Sequence, residues 1–368
     1  MLAGGGHTHA LLLSQGPLPG PVTLVSPARF TPYSGMLPGV VAGHYHSREA
    51  HIDLAALCQR CGATFIEQAA TGIDRAGRHL LLDDGRRLPY HLLSLDIGAQ
   101  PALATVPGAR EHAVAVKPVS GFLARWQRLL ATLPRLPHPL RLAVVGAGAG
   151  GTEMALAIAH VLRQQQLPAQ LSLFSASGLL PGYSPGVRRR MQRALDHYGI
   201  ALHTETPIQR VTATHLYGED AHSYPHDFLL WCTGAVGAAW PGDSGLSVTD
   251  SGFVRVQDTL QSLNDPAVFA AGDCAWPEPG PVPRAGVYAV RQAPVLRYNL
   301  IAAWRGRPLR HWRPQPHFLS LLSAGERYAT GSRGRRLSAG GRWLWHVKDR
   351  IDRRFMARFP AMATPPEA

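Results

Sequence analysis

The chain has 368 residues, of which 45% are hydrophobic and 17% charged, so it is long enough for two or three domains and too apolar to be wholly disordered. Its net charge of +13 is uneven, because residues 301–358 contribute +11 through 14 basic and three acidic residues. No stretch of about 18 residues is apolar and free of charge, Gly and Pro, and no positive region precedes an apolar N-terminal segment. We therefore expect a cytosolic protein without a spanning helix or a signal peptide.

Short apolar runs alternate with amphipathic stretches along the chain, which predicts an α/β fold. The spacing of apolar residues predicts helices over Ser120–Leu133, Gly151–Gln165 and Val187–His197. Prolines at 134, 137 and 139 mark a linker between two parts of the chain. The predicted buried strands are Val22–Ser26, Leu92–Asp96, Arg141–Val145, Leu171–Phe174, Phe228–Cys232 and Ala267–Ala271.

A glycine-rich turn follows the predicted strand at 141–145. Gly146, Gly148 and Gly151 satisfy the pattern G-x-G-x-x-G between a strand and a helix. In this motif the first glycine permits the tight turn, the second lets a pyrophosphate approach the backbone, and the third lets helix and strand pack closely. The amino end of the helix offers unpaired N–H groups and a positive dipole to the phosphates, so the turn predicts a dinucleotide site.

A less regular turn of the same kind lies at the start of the chain. Gly4 and Gly6 have the required spacing, but His9 occupies the position of the third glycine, where a larger residue should push the helix away from the strand. Only three residues precede the turn, although a buried strand usually has about five. This turn alone is a weak signal, but together the two turns predict two Rossmann-type units.

Neither unit has the usual acidic residue at the end of its second strand, where a carboxylate binds the ribose hydroxyls of adenosine. Ser26 ends that strand in the first unit, and Ser175 follows it in the second. A serine can make only a single, weaker hydrogen bond there. The sequence therefore leaves NADH and NADPH both open as nucleotides for the second unit.

Three further segments resemble motifs of flavoproteins with two dinucleotide sites. Tyr90–Gly98 resembles the segment that usually ends in Ala-Thr-Gly, and Asp227–Gly234 is its counterpart after the second unit. Asp265–Ala275 resembles the closing motif whose aspartate, here Asp273, holds the ribityl chain of the flavin. This set of motifs, in this order over residues 1 to 300, resembles the pyridine nucleotide-disulfide oxidoreductase superfamily, and within it the type II NADH dehydrogenases.

A narrower resemblance involves the oxidoreductase module that is fused ahead of selenide, water dikinase in some proteins. The first glycine turn, Thr31–Gly39, His51–Leu54 and Ala285–Pro294 carry this resemblance, and Trp343–Phe355 extends it into the tail. In that family the His and Ser of the first unit are ordinary residues. Any link to selenium metabolism rests on the fused relatives alone, since no residue pattern here recognisably binds selenide.

The resemblance implies FAD in the first unit and NADH or NADPH in the second. It places the loop Thr31–Leu37, which we call the flavin-side loop, beside the isoalloxazine ring. It also directs the positive end of the helix that begins near 285–287 at the pyrimidine side of the flavin, where it would stabilise negative charge. Glu153 aligns with a glutamate near the nicotinamide–flavin contact and is the candidate catalytic residue; an acid stabilised by the helix dipole is the alternative. The candidate cofactor-binding residues are Gly4, Gly5, Gly6, His7, Ser26, Gly35, Met36, Asp96, Gly98, Gly146, Gly148, Gly151, Gly234, Gly272, Asp273, Ala285, Gly286 and Val287.

Three other features could indicate a redox centre, a metal site or a flavin contact, but each has a simpler structural interpretation. Cys58 and Cys61 form a C-x-x-C motif, which we interpret as two helix cysteines rather than a redox pair. The H-x-H pairs at 7/9 and 44/46 lack a further ligand in a recognisable motif, so we predict no metal site. Lys117 stands near the crossover into the second unit, where a surface role is simpler than a role at the flavin.

The predicted organisation is a FAD-binding domain in two parts, residues 1–106 and 236–300, an inserted NAD(P)-binding domain at 107–235, and a basic C-terminal segment at 301–368. Trp343, Trp345, Ile351, Phe355 and Met356 alternate with basic residues in that segment, which suits an amphipathic helix at a membrane surface. A solvated face, an acidic protein partner and, less favoured, RNA are the alternatives.

The chemistry that this organisation implies is hydride transfer from NAD(P)H to the flavin, followed by electron transfer to a small acceptor such as a quinone. We expect the protein in the cytoplasm, with the inner face of the membrane as a candidate site of contact. The alternative is a flavin-binding accessory protein of selenium metabolism, with a vestigial nicotinamide site and a tail that docks a partner.

Overall fold

The computed structural model of the chain describes residues 1–117, 119–133, 136–219, 222–278, 280, 282–334 and 337–360. The described helices are α1 His7–Ser14, α2 Leu37–Val41, α3 Leu54–Cys61, α4 Ala109–His112, α5 Val119–Thr132, α6 Ala149–Gln164, α7 Pro185–His197, α8 Trp240–Asp243, α9 Gly286–Trp304 and α10 Arg342–Met356, with short 3₁₀ turns at Ser34–Met36, Ser47–Ala50, Leu103–Thr105 and Gly272–Cys274. The described strands are β1 Leu2–Ala3, β2 Thr23–Ser26, β3 Phe30–Pro32, β4 His51–Asp53, β5 Thr64–Glu67, β6 Ala70–Asp74, β7 His79–Leu82, β8 Arg87–Pro89, β9 Leu93–Leu95, β10 Val114–Ala115, β11 Leu140–Val145, β12 Ala169–Phe174, β13 Ala201–His203, β14 Ile208–Val211, β15 His215–Gly218, β16 Ser223–Pro225, β17 Phe228–Trp231, β18 Val254–Val256, β19 Gln261–Ser262, β20 Asp265–Ala270, β21 Ala275–Pro277, β22 Leu319–Ala324, β23 Glu326–Arg333 and β24 Leu337–Gly341.

The first unit is built on a sheet of eight described strands in the order β21-β18-β19-β20-β9-β1-β2-β5. Its central strand, β1, has only two residues, and both pair in parallel with β2 on one side and β9 on the other. Leu2 and Ala3 are fully buried, as expected for a strand in the middle of a covered parallel sheet. The short strand is therefore sufficient to place the first glycine turn at the carboxyl edge of the sheet.

The second unit is built on five described parallel strands in the order β10-β17-β11-β12-β13. The order of β17, β11, β12 and β13, with α6 connecting β11 to β12, is that of a doubly wound nucleotide-binding sheet. A separate antiparallel sheet, β14-β15-β16, lies between β13 and β17 in the chain. All of these strands fall within 107–235, the range that we predict for the NAD(P)-binding domain.

Two crossings connect the units, and they pair with each other. The backbones of Gln100 and Val236 form an isolated antiparallel bridge, with N–H···O distances of 2.8 and 2.9 Å. Gly234, just before the second crossing, has φ of 68°, and a Cβ there would collide with Ala102 of the first crossing. Gly234 is therefore needed for the packing of the two crossings.

The six predicted strands match β2, β9, β11, β12, β17 and β20 to within two residues at each end, and the three predicted helices match α5, α6 and α7 equally closely. Their apolar runs are short and their flanking turns contain Gly or Pro, so both type and position follow from the sequence. The α/β fold with two Rossmann-like units is confirmed.

The C-terminal segment has structure of its own. Strands β22, β23 and β24 form an antiparallel sheet, and α10 packs against it. The sheet also contacts α6 and α7 of the second unit, while α10 reaches the turn at Ser47–Ala50 of the first. Residues 361–368 of the predicted segment lie outside the described residues. The described part of the segment therefore joins both units.

Candidate active site

The first glycine turn encloses a buried carboxylate. Gly4 has φ of 95°, and a Cβ on it would collide with the backbone of Asp96 at the end of β9. A Cβ on Gly6 or on Gly272 would collide with the carboxyl group of Asp96. Gly5 instead packs against Leu54. Gly4 and Gly6 of this turn, together with Gly272, thus make room for Asp96, a requirement that the general motif does not include.

Asp96 occupies the amino end of α1. Its Oδ2 accepts hydrogen bonds from the backbone N–H groups of Thr8 (2.8 Å) and His9 (3.0 Å). Burial raises the pKa of Asp96 to about 7, and the neighbouring charge of Asp273 adds to that effect, while the two backbone hydrogen bonds oppose it. The chain therefore keeps a carboxyl group that is close to its titration point at neutral pH, beside the expected position of the FAD pyrophosphate.

His9, at the position of the third glycine, is fully buried between α1 and β9. Its Nδ1 lies 2.7 Å from the carbonyl oxygen of Gly4 and its Nε2 lies 2.8 Å from Oγ of Ser94. A carbonyl only accepts, so Nδ1 carries the proton and Nε2 accepts from the serine hydroxyl. Burial lowers the pKa of His9 to about 4, so the ring stays neutral and ties the turn to the strand instead of only displacing the helix.

The other candidate residues of the first turn are used partly within the protein. Nε2 of His7 donates to the carbonyl of Pro32 at 3.1 Å, in the flavin-side loop. The hydroxyl of Ser26 is buried next to Gly5 and donates to the carbonyl of Ala28 at 3.1 Å. His7 thus braces the flavin-side loop, and only the acceptor capacity of Ser26 is left for a ribose.

Asp273 follows β20, which runs parallel to β9 and β1, so it lies at the same sheet edge as the first glycine turn. Its Oδ2 is 3.1 Å from Nζ of Lys117, which is exposed as expected for a surface lysine but is paired with a candidate flavin ligand. The neighbouring Gly272 has φ of 67°, and its N–H donates to Oε1 of Gln292 on α9 at 2.7 Å. Asp273 retains oxygen atoms that can accept from ribityl hydroxyls.

The amino end of α9 lies beside α1 and the turn at Gly272–Cys274. Ala285 is the N-cap residue, no side chain of the described residues caps this end, and a Cβ on Gly286 would meet no described atom within 4 Å. Val287 follows in the first turn and packs at the edge of the first core. A Cβ on Gly98, at the end of the neighbouring strand, also meets no described atom within that distance. This open, positively polarised cradle fits the flavin.

The flavin-side loop is held by α10. Nζ of Lys348 donates to the carbonyl of Gly35 (2.7 Å) and pairs with Oδ2 of Asp352 (2.7 Å), and both side chains are buried. The hydroxyl of Tyr33 donates to Oδ1 of Asp352 at 3.2 Å, and its ring stacks on Phe355 with centroids 4.4 Å apart. Met36, in the same loop, is buried against Tyr45 and Ala50.

Glu153 projects from the first turns of α6 towards the C-terminal segment. Its Oε1 accepts from the backbone N–H of Ser323 in β22 at 2.7 Å. Burial raises the pKa of Glu153 to about 7, while Lys348 and the Ser323 hydrogen bond oppose the shift. The carboxyl group therefore lies between the second unit and α10, and it can gain or lose a proton near neutral pH.

The second glycine turn has an open amino end. Gly146 has φ of 113°, and a Cβ on it would press on Cys232 and Thr233 at the end of β17. A Cβ on Gly151 would collide with the carbonyl of Gly146, whereas one on Gly148 meets no described atom within 4 Å. Unlike α1, α6 has no carboxylate on its first amides among the described residues, so the turn fits a dinucleotide pyrophosphate.

The cysteines have the properties of core residues. Cys58 and Cys61 are buried on α3, and burial raises the pKa of Cys58 to about 12. The same cause raises the pKa values of Cys232 and Cys274 to about 12. A thiol with such a pKa is almost wholly protonated at neutral pH, which favours the structural interpretation of the C-x-x-C motif.

The predicted amphipathic surface of the tail needs correction. Trp345 and Phe355, which we predict on the interfacial face, are buried against the protein, and Lys348 is a buried salt-bridge partner. The exposed apolar residues of α10 are Trp343, Val347 and Ile351. The prediction failed because helical spacing gives the faces of a helix but not which face a tertiary partner covers. The i, i+4 ion pairs of α10 do not identify the covered face either, because Lys348–Asp352 is buried while Asp349–Arg353 is at the surface.

Within the described residues, no helix has the length and hydrophobicity needed to cross a membrane. In that same part of the chain, no three His, Cys, Asp or Glu side chains are grouped so as to hold a metal ion.

Two nucleotide-binding sheets with parallel strands at their glycine turns, each turn followed by a helix, and a polar cluster between them define a flavin-dependent oxidoreductase of the two-dinucleotide class. Residues 3–293 match the model of the pyridine nucleotide-disulphide oxidoreductase family, and the chain belongs to that family. It is an oxidoreductase that uses FAD and NAD(P)H.

Similar proteins agree with this assignment. The demethylphylloquinone reductase NdbB of Synechocystis is 26% identical over 317 residues, which cover 83% of this chain and 76% of that protein. The sulfide:quinone oxidoreductase of Aquifex aeolicus has a TM-score of 0.80 at 16% identity and covers 98% of this chain and 92% of its own. NDH2 of Plasmodium falciparum in complex with NADH has a TM-score of 0.79 at 14% identity, with coverage of 97% and 96%.

The two structural likenesses extend the shared fold into the C-terminal segment. The family match confirms the superfamily, and curated NADH dehydrogenase relatives confirm the similarity to type II enzymes, whereas the narrower resemblance to the module fused with selenide, water dikinase stays a prediction.

Proposed function

We propose that this chain oxidises NADH or NADPH through FAD and passes the electrons to a quinone that enters from a membrane surface beside α10. The observation that carries the proposal is the double role of α10, whose buried polar face closes the flavin-side loop while its exposed edge is apolar. Bound FAD supplies the chemistry of taking a hydride from the nicotinamide and giving up electrons to the acceptor.

The residues of the chain hold the reacting groups and manage protons. Lys348 fixes the backbone of Gly35 in the loop that would hold the flavin, and the amino end of α9 would stabilise negative charge on the flavin. Glu153 is the proposed catalytic residue. Reduction of a quinone to a quinol consumes two protons, and a carboxyl group with a pKa of about 7 is suited to deliver one of them.

The exposed edge of α10 suits an anionic membrane. Trp343, Val347 and Ile351 are exposed by 59%, 37% and 47%, and their spacing of four residues places them in one stripe. On the same helical projection Arg350 and Arg354 lie alongside the stripe, where they would meet phosphate headgroups. Such a surface inserts apolar side chains while its arginines pair with lipid phosphates.

The names of two similar proteins favour a quinone as acceptor. NdbB is a demethylphylloquinone reductase, and the Aquifex aeolicus structure is a sulfide:quinone oxidoreductase. The alternative of an accessory protein with a vestigial nicotinamide site is disfavoured, because Gly148 faces open space and a titratable Glu153 lies on the same helix. An acidic protein remains the competing partner for the tail.

Vesicles test the membrane contact. Replacing Trp343, Val347 and Ile351 together by serine should abolish flotation with phosphatidylcholine–phosphatidylglycerol vesicles. The substitution removes the exposed apolar area that would insert into the bilayer. Reduction of a long-chain quinone in those vesicles should fall at least about tenfold, while reduction of a water-soluble short-chain quinone stays unchanged.

Trp304→Ser is the matched control, since Trp304 is 45% exposed on α9, and it should float like the parent protein. Full flotation and full vesicle activity of the triple variant would contradict the membrane proposal. Loss of binding to an acidic ferredoxin, with flotation retained, would point to the protein partner instead.

A further inference from the structure

The loop after β12 lacks the acidic residue that usually accepts hydrogen bonds from the adenosine ribose. Ser175 stands at the position of the missing acid, and its hydroxyl donates to the carbonyl of Gly178 at 3.2 Å. The same oxygen accepts from the backbone N–H of Ser177 at 3.3 Å. Because this hydroxyl is engaged within its own loop, the adenosine ribose of a nucleotide on the second glycine turn needs another partner.

Glu205 lies directly beside that loop. Its backbone N–H donates to the carbonyl of Ser177 at 2.9 Å, and the N–H of Thr206 donates to the carbonyl of Ser175 at 2.8 Å. Strand β13, which precedes Glu205, pairs in parallel with β12, so the carboxyl ends of both strands reach the same edge of the sheet. In nucleotide-binding sheets of this order, that edge receives the adenosine half of the ligand.

The second glycine turn is tied to the same loop. The N–H of Gly146 donates to the carbonyl of Phe174, the last residue of β12, at 2.8 Å, and the N–H of Leu180 donates to the carbonyl of Ala147 at 2.9 Å. The pyrophosphate position and Glu205 are therefore on one continuous surface, separated only by the loop that carries Ser175.

The backbone of Glu205 is strained and its side chain is exposed. Its φ is 52°, in the left-handed region that favours glycine, so a glutamate here costs conformational energy. Strained residues of this kind concentrate at binding sites. Between residues 175 and 218 the other acid is Asp196, at the far end of α7, and among the described residues no group hydrogen-bonds the carboxylate of Glu205.

We propose that Glu205 takes the place of the missing strand-end acid, binds the adenosine ribose hydroxyls, and makes the second unit selective for NADH over NADPH. A carboxylate accepts hydrogen bonds from both hydroxyls and repels a 2′-phosphate at the same place. The inference rests on nicotinamide nucleotide binding by the second unit and deepens the proposed function by assigning its electron donor.

Calorimetric titration of the FAD-loaded protein with ADP-ribose and with 2′-phospho-ADP-ribose tests the assignment without turnover. The parent protein should bind ADP-ribose at least about tenfold more tightly than its 2′-phosphorylated form. Glu205→Gln should weaken ADP-ribose by about tenfold and strengthen the phosphorylated probe, because the repelling charge is gone.

Two further variants separate binding from folding. Asp196→Asn removes the same charge from the same domain at the far end of α7 and should leave both affinities unchanged. Glu205→Gly relieves the backbone strain and should raise Tm while it loses the preference for ADP-ribose.

A rise in Tm with the preference intact would overturn the proposal, since Glu205 would then act only on the backbone. An unchanged preference in Glu205→Gln would overturn it as well, although the proposed function would stand. If the parent protein bound neither probe and NADH failed to reduce its flavin, both this inference and the proposed function would fail.

Discussion

At the scale of single residues, Asp96 gives the glycines around the first turn a second structural role. The glycines of the first turn fit a general pyrophosphate motif, yet Gly6 and Gly272 are also required because the carboxyl group of Asp96 occupies the space of their Cβ atoms. That carboxyl group satisfies amides of α1 that could otherwise face an anion. FAD binding at this turn must therefore place two phosphate charges near a titratable acid.

Asp96→Asn should remove a pH dependence of FAD binding. The pyrophosphate favours the protonated form of Asp96, so binding takes up a proton, and above about pH 7 the Kd should rise towards tenfold per pH unit in the parent protein. The asparagine variant should bind FAD more tightly at about pH 8 and with a flat profile, as measured by flavin fluorescence during titration of the apoprotein.

The same carboxyl group affects the stability of the apoprotein. Because its folded pKa is raised above the unfolded value, its contribution is complete below about pH 4 and declines as the pH rises towards 7. Asp250→Asn, in an exposed turn, is the control and should change neither profile. A variant of Asp96 that binds FAD more weakly and keeps the pH slope would refute this role.

The structural environment of some residues could be predicted from the sequence, and that of others could not. Gly146, Gly148 and Gly151 have positions fixed by short-range geometry, so the motif alone predicts their environment. The network of His9 and Ser94 depends on contacts between residues 85 positions apart, which no local pattern encodes. The roles of the candidate site residues in cofactor binding and catalysis remain predictions.

At the scale of elements, α10 contacts the flavin-side loop with one face and solvent with another. Its buried face contributes Lys348 and Asp352 to the flavin-side loop, and its exposed edge carries the apolar stripe. The sequence predicts the helix and its amphipathic character. It does not predict which edge is covered, because that depends on β22–β24 and on the loop at Tyr33.

Lys348→Met should destabilise the protein by about 3–5 kcal/mol, because it leaves the Asp352 carboxylate buried without its cation. The double variant Lys348→Met, Asp352→Leu should recover much of the stability, since two apolar side chains replace the ion pair. It should not recover quinone reduction, because the hydrogen bond to the carbonyl of Gly35 is still absent.

Denaturant unfolding and quinone turnover measure the two effects separately. Arg353→Met is the control from the same helix, since its ion pairs with Glu49 and Asp349 are at the surface and should contribute less than about 1 kcal/mol. Recovery of activity together with stability in the double variant would show that Lys348 has no role at the flavin-side loop.

At the scale of the whole molecule, the site is assembled from three parts of the chain that are distant in sequence. The first unit contributes the Asp96 turn and the flavin-side loop, the second contributes Glu153, and the C-terminal segment contributes Ser323 and Lys348. Parallel strands and their glycine turns made the two units predictable, since each unit follows a local rule of connection. The C-terminal sheet was not predicted from the sequence. Its strands pack against α6 and α10, and these tertiary contacts leave no local pattern in the sequence.

The proposed function requires that electrons pass from a nicotinamide nucleotide through FAD to a quinone. The most direct test is anaerobic stopped-flow absorbance of the FAD-loaded protein, mixed first with NADH or NADPH and then with a quinone. We expect rapid bleaching of the flavin band by NADH, much slower bleaching by NADPH, and full recovery of the band on addition of the quinone. Failure of both nucleotides to bleach the flavin, or a bleached flavin that the quinone does not reoxidise, would contradict this electron path.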